Sequence, residues 1–186
     1  MVDVWIFVDS IDNSGSTKNK VFACLKQIVP PDFRMPEEGQ YKIKEKGKPY
    51  LENCPYQFNV SHSGKYWICA ISKQDVGIDI QQCVPDKDYA KIADRFFEKR
   101  EINYLFDCDY REFYKIWAAK ESYVKLLGEG ISMGFDTFSV VYNGKIAKKT
   151  GNMFLNFIHI DKNYECCLCT KQRINLIFVN KEKQQP

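Results

Sequence analysis

The residues best suited to chemistry lie in one stretch, Phe113-Tyr114-Lys115-Ile116-Trp117-Ala118-Ala119-Lys120-Glu121-Ser122-Tyr123-Val124-Lys125-Leu126-Leu127. Wound as a helix, it puts Phe113, Ile116, Trp117, Val124 and Leu127 on one face. Lys120 falls in the middle of that face, Glu121 at its edge, and Lys125 one turn further on. A lone lysine in an apolar stripe ordinarily packs its stem and lifts its ammonium to water. A carboxylate flanked by two lysines suits a metal–phosphate site as well, with the carboxylate taking the cation and the lysines taking phosphate oxygens.

A second segment offers a partner. In Val76-Gly77-Ile78-Asp79-Ile80-Gln81 the apolar residues alternate, so Gly77, Asp79 and Gln81 share the opposite strand face. An aspartate near a strand end is most often a turn or cap residue. Paired with Glu121, Asp79 would give Mg²⁺ its usual sparse protein set, completed by phosphates and water. Gly77 would leave room for a ligand to approach. The turn Ser61-His62-Ser63-Gly64 adds hydroxyls and an imidazole, and Gly47-Lys48-Pro49 a lysine on a loop. Gly130-Ile131-Ser132-Met133-Gly134 matches the G-x-S-x-G nucleophile pattern. That pattern needs a strand before it and a helix after it, and the order here is reversed, which argues against a serine hydrolase. Cys166, Cys167 and Cys169 contain a C-x-x-C match, but no second ligand pair accompanies it. They read as buried strand residues with reduced thiols rather than zinc ligands.

These residues must be held by a chain of 186 residues with 45% hydrophobic and 27% charged content, values typical of a globular protein. The net charge of +3 is too small to point to nucleic acid and does not oppose an acidic protein partner. No apolar run approaches the roughly 18 residues of a membrane helix, and the N-terminus lacks a signal-peptide pattern. The expectation is a cytoplasmic monomer. Strands are expected at 2–8, 57–61, 66–72, 76–80, 153–160 and 164–170. A hairpin is expected around Asn143-Gly144, between 138–142 and 145–149. Helices are expected at 18–28, 87–96, 98–106 and 110–127, with loop and short strands over 31–50. One internal echo stands out: Asn59-Val60-Ser61-His62, then Lys65, against Asn156-Phe157-Ile158-His159, then Lys162. The two histidines of the chain fall at matching places.

In order, Gly47-Lys48-Pro49, Phe58-Asn59-Val60-Ser61-His62-Ser63-Gly64, Val76-Gly77-Ile78-Asp79-Ile80, Arg95-Phe96-Phe97 with Glu101, and Trp117-Ala118-Ala119-Lys120-Glu121-Ser122 with Lys125 resemble the surfactin-synthetase-activating type of 4′-phosphopantetheinyl transferase. The likeness covers about residues 47–170. It implies an α+β fold of two similar halves, 1–84 and 85–186, related by a pseudo-twofold axis in one unit, with coenzyme A in the cleft between them. It implies transfer of the phosphopantetheine arm of coenzyme A to a serine of an apo acyl or peptidyl carrier protein. Asp79 and Glu121 would bind Mg²⁺. Lys125 and Lys120 would hold phosphate oxygens, and Lys48, Ser61 and His62 would contact the adenosine and 3′-phosphate end. Glu101 matches a family glutamate that could serve in proton transfer, a metal-activated water being the alternative base. The carrier is expected to dock near residues 83–97. Two departures follow: Gln81 stands where the family often has another acid, and the region before Gly47 is short. Lys18, Lys20 and Arg34 are the basic residues there that could take the 3′-phosphate. These departures keep a second reading in view, a non-catalytic relative that binds coenzyme A or a carrier.

Overall fold

The computed structural model describes residues 1–11, 15–85, 88–106, 108–130 and 133–179. Its frame is two hairpins that each send their next strand to the other sheet. In the first, β4 (Gln57–Ser63) pairs antiparallel with β5 (Tyr66–Ser72). The following strand, β6 (Val76–Gln82), leaves to pair with β11 (Tyr164–Thr170) in the second sheet. In the second, β10 (Met153–Phe157) pairs antiparallel with β11, and β12 (Ile174–Phe178) leaves to run parallel to β1 (Val2–Ser10) in the first. The sheet orders are β12-β1-β5-β4 and β6-β11-β10-β9, where β9 is Lys149–Thr150. Each half of the chain therefore contributes a strand to the sheet of the other, so neither 1–84 nor 85–186 has a complete sheet of its own. Tyr66 and Tyr164, at the start of the matching strands, meet edge to face with centroids 4.9 Å apart.

Strand alternation explains the layers. Ile68, Ala70, Ile78, Ile80, Cys166 and Leu168 turn inward between the two sheets with Val4 and Ile6. Trp67, Cys69 and Ile71, on the other face of β5, pack with Phe7, Phe58, Val21 and Leu25 under α1 (Thr17–Ile28). Full burial of a side chain such as Ile78 or Leu168 contributes about 1.5–3 kcal/mol. The long helix α4 (Tyr110–Leu127) covers the outer face of the second sheet, capped by the Asp109 side chain at its start and by left-handed Gly128, φ 74°, at its end. Two short helices, α2 (Tyr89–Phe96) and α3 (Lys99–Leu105), form a further layer over it. Helix α4 is thus packed on two sides rather than on one stripe, so Lys120 and Ser122 are buried along with Ile116 and Val124. Between α1 and β4 the described residues hold only β2 (Tyr41–Ile43), β3 (Pro49–Leu51) and a single 3₁₀ turn.

Several expectations need correction. Strand β12 was not anticipated, and β10 ends at Phe157 rather than 160. The Asn143-Gly144 hairpin has only β7 (Val141–Tyr142) and β8 (Lys145–Ile146). Both of its turn residues have positive φ, as such a turn requires. Ile131 and Ser132 of the G-x-S-x-G match lie outside the described residues, as do residues 86 and 87 at the expected start of α2. All eight cysteines are free thiols, with Cys166 between the sheets and Cys167 and Cys169 beneath α4. Among the described residues no helix is long and apolar enough to cross a membrane.

Gly77 does not leave room for a ligand. A Cβ there would lie 2.9 Å from Leu126 Cα and closer still to Ser122 O and Leu126 N. The glycine lets α4 lie directly on β6, and every one of those atoms is helix backbone that cannot swing aside. Gly77→Ala should therefore destabilise the protein by about 2–3 kcal/mol in urea titration, at the upper end of overpacking costs. Unchanged stability would mean that the helix can lift off β6 freely.

Candidate active site

The first sheet meets β6 through side chains. In β4, Asn59, Ser61 and Ser63 alternate and all reach the backbone of β6. Asn59 Oδ1 accepts from Ile78 N at 2.7 Å, Ser61 Oγ from Ile80 N at 3.3 Å, and Ser63 Oγ from Gln82 N at 2.9 Å. This stitch fixes the height of β6 against β4. The alternation of Asn59, Ser61 and Ser63 is visible in the sequence, but only Ser61 was singled out as a contact residue.

Ser61 Oγ also donates to Asp79 Oδ1 at 2.8 Å. Lys125 Nζ lies 2.6 Å from the same oxygen, 3.1 Å from Ser61 Oγ and 3.4 Å from Ile78 O. The other carboxylate oxygen, Asp79 Oδ2, accepts from the Gln81 amide at 2.8 Å. Asp79 is 2% exposed, so both of its oxygens are held in place with almost no access to water. A buried carboxylate is stable only with partners of this kind.

Glu121 is half-buried one turn of α4 before Lys125 and, among the described residues, receives no hydrogen bond. Burial raises its pKa, and the negative charge of Asp79 raises it further, while Lys125 opposes both. The pair is thus two neighbouring carboxylates with one lysine between them, an arrangement short of positive charge. It fits a divalent cation with phosphate ligands, although the described residues contain no group of three or more histidine, cysteine or acidic side chains that could hold a metal alone.

Other expected site residues are placed elsewhere. Lys120 is fully buried: it pairs with Glu101 Oε2 at 2.8 Å, donates to Phe135 O at 2.6 Å and to Phe138 O, and lies 4.2 Å from the Phe138 ring centroid. With its donors occupied, it does not reach a phosphate in this arrangement. Burial pushes its ammonium pKa down, and the Glu101 charge pulls it back up. Glu101 is fully buried too, accepting from Glu98 N and Val140 N at 3.0 and 2.7 Å. The two join α3, α4 and the segment before β7 and stand apart from Asp79. Lys48 Nζ donates to Leu126 O at 3.0 Å and Val76 O at 3.4 Å, capping the end of α4, and burial lowers its pKa to about 8. His62 is exposed and projects from β4 opposite to Ser61. Lys18 pairs with Glu38 at 2.8 Å, Lys20 with Asp9 at 3.6 Å, and Arg34 with Glu37 at 3.6 Å.

The comparisons with known proteins agree with this assembly of motifs. Residues 75–176 match the family model described as the 4′-phosphopantetheinyl transferase superfamily. The chain is 34% identical over 157 residues to the 4′-phosphopantetheinyl transferase Sfp of Bacillus subtilis (strain 168), covering 78% of this chain and 69% of that protein. It is 39% identical over 107 residues to a second Bacillus subtilis 4′-phosphopantetheinyl transferase, covering 54% and 46%, and 32% identical over 157 residues to a third, ffp, covering 78% and 69%. The chain belongs to the 4′-phosphopantetheinyl transferase superfamily. It is an enzyme of that class, and the non-catalytic alternative is not favoured.

Two outcomes follow for the isolated protein. A carboxyl group whose folded pKa is raised holds its proton in the folded state after the unfolded chain has lost it, so it costs stability as pH rises through that window. Glu121→Gln should therefore be more stable than the parent at pH 7 and no more stable below about pH 4; thermal melts at both values check this, and equal melting temperatures at pH 7 would contradict it. Breaking the internal pair by Glu101→Gln leaves Lys120 buried without its counter-charge and should cost about 3–5 kcal/mol in urea unfolding. A loss under about 1 kcal/mol would place that pair in a solvated setting instead.

Proposed function

We propose that this chain transfers the 4′-phosphopantetheine group of coenzyme A to a serine of an apo acyl or peptidyl carrier protein, with Mg²⁺ held by Asp79 and Glu121. The observation that carries the reading is the meeting of Asp79, Glu121 and Lys125 at the junction of β4, β6 and α4, in a chain of this superfamily. The repeated hairpins with exchanged third strands support a duplicated architecture with the substrate cleft at that junction.

In the reaction the serine oxygen bonds to the β-phosphorus of coenzyme A, the bond from that phosphorus to the bridging oxygen breaks, and 3′,5′-ADP leaves with the electron pair. When bound, Mg²⁺ would neutralise charge that builds on the pyrophosphate oxygens. Lys125, already aimed at Asp79, holds a phosphate oxygen once substrate competes for its protons. Glu121, the carboxylate here with no protein donor, takes the serine proton. Ser61 is held against Asp79 inside the site, and His62, exposed on the other side of edge strand β4, meets the adenosine and 3′-phosphate end. Ser61 holds Asp79 Oδ1 before substrate arrives and Gln81 would yield Oδ2 to the metal, so a carboxylate preorganised in this way adds little reorganisation to the barrier. Lys48, Lys120 and Glu101 support α4 rather than touch substrate. The carrier docks beside the metal strand, near α2, where Lys91, Asp94 and Arg95 are exposed.

Incubation with coenzyme A, Mg²⁺ and an apo carrier should add one phosphopantetheine to the carrier by mass spectrometry. Asp79→Ala and Glu121→Ala should each lower kcat by about 100-fold or more while the protein stays folded. Gln81→Glu should lower the Mg²⁺ concentration needed for half-maximal rate. Coenzyme A binding without any mass gain on several carriers would favour the non-catalytic reading.

A further inference from the structure

The mirrored counterpart of the site is an open groove. Matching Asn59-Val60-Ser61-His62 to Asn156-Phe157-Ile158-His159 places Ile158 where the first half has Ser61. Matching β6 to β12 from their first residues, Val76 and Ile174, places Ile177 where the first half has Asp79. The polar stitch is missing here as well. Asn156 does not cross to β12: its amide donates within its own sheet, to Leu168 O at 3.0 Å and Thr170 Oγ1 at 3.2 Å. Among the described residues β12 is an edge strand, paired only with β1.

The result is a groove of about 600 Å³ between β10 and β12, floored by Phe154, Leu155, Phe157, Ile158, Ile174 and Leu176. Among the described residues, Lys148, Lys149 and Arg173, all exposed, are its charged lining residues, and each brings a positive charge to the rim. Lys149 Nζ sits 5.3 Å from the Phe154 ring centroid, which holds one ammonium over the apolar floor. Its size is that of a small-molecule site, and an apolar floor with a one-sign rim selects the chemistry of its occupant.

We propose that this groove is a second ligand site that binds an amphipathic anion, an aliphatic chain with a carboxylate head. The chain lies on Phe154, Ile158, Ile174 and Leu176, and Lys148, Lys149 and Arg173 meet the head. This inference is independent of the transfer reading, because none of these residues belongs to the Asp79–Glu121–Lys125 group.

The test is titration of the full chain with dodecanoate, followed by calorimetry and by the methyl resonances of Ile158, Ile174 and Leu176. Butyrate supplies a head without a chain, and dodecyl maltoside a chain without charge. Dodecanoate should bind one to one and shift those methyl groups, and both controls should bind about tenfold more weakly or worse. The exposed-residue variant Lys148→Gln/Lys149→Gln/Arg173→Gln should lose dodecanoate binding by about tenfold or more and keep the parent's melting temperature and transferase rate. Ile174→Asp should lose it as well. The proposal is overturned if millimolar dodecanoate leaves the methyl groups unmoved, if the triple variant binds as the parent does, or if the maltoside binds as well as the anion. It is overturned equally if an acidic peptide shifts the same methyl groups and dodecanoate does not.

Discussion

The structure depends on the close approach of α4 to β6. Backbone lies against backbone because position 77 has no side chain, and that contact brings two turns of helix within reach of one strand. Asp79 then faces Lys125, and Glu121 feels the charge of Asp79. The side-chain stitch from β4 acts on the same strand from its edge. Asn59, Ser61 and Ser63 satisfy amides of β6 that would otherwise lack strand partners on that side. A strand gripped by helix backbone and by hydroxyls leaves its central carboxylate little freedom to rotate.

Electrostatics divide the helix into a sealed side and a side open toward the strand edge. The Lys120–Glu101 pair is sealed from water, and burial costs each charge several kcal/mol unless hydrogen bonds satisfy it. The carbonyls of Phe135 and Phe138 complete that satisfaction. Lys125, only five residues away, keeps partial exposure and an aspartate partner. Two lysines of one helix thus sit in opposite settings because one faces the α3 layer and the other the strand edge.

Much of this was legible in the residues. The alternation of Val76, Ile78 and Ile80 put Asp79 on a face with Gly77 and Gln81, and the helical spacing put Lys125 one turn from Glu121. Lys120 was misjudged for a physical reason: helical periodicity shows that a lysine interrupts an apolar stripe, but not that Glu101 waits in a separate helix to receive it. Gly77 was misjudged likewise, since a missing side chain looks the same whether ligand or helix backbone fills the space. β12 was missed although Ile174-Asn175-Leu176-Ile177-Phe178 is rich in strand formers. Its partner is the first strand of the chain, and parallel pairing between the two ends leaves no local turn signal. Of the echoed segments, Asn59–His62 lies within β4, while Asn156–His159 begins in β10 and runs past its end at Phe157.

In the proposed reaction, Asp79 and Glu121 place a divalent cation on the pyrophosphate of coenzyme A beside Lys125. Phosphorus resonance of coenzyme A in the presence of the protein and trace Mn²⁺ measures this directly. Protein-dependent broadening of the pyrophosphate signals should exceed that of the 3′-phosphate and be lost in Asp79→Asn. Equal broadening with the parent and with Asp79→Asn would contradict it.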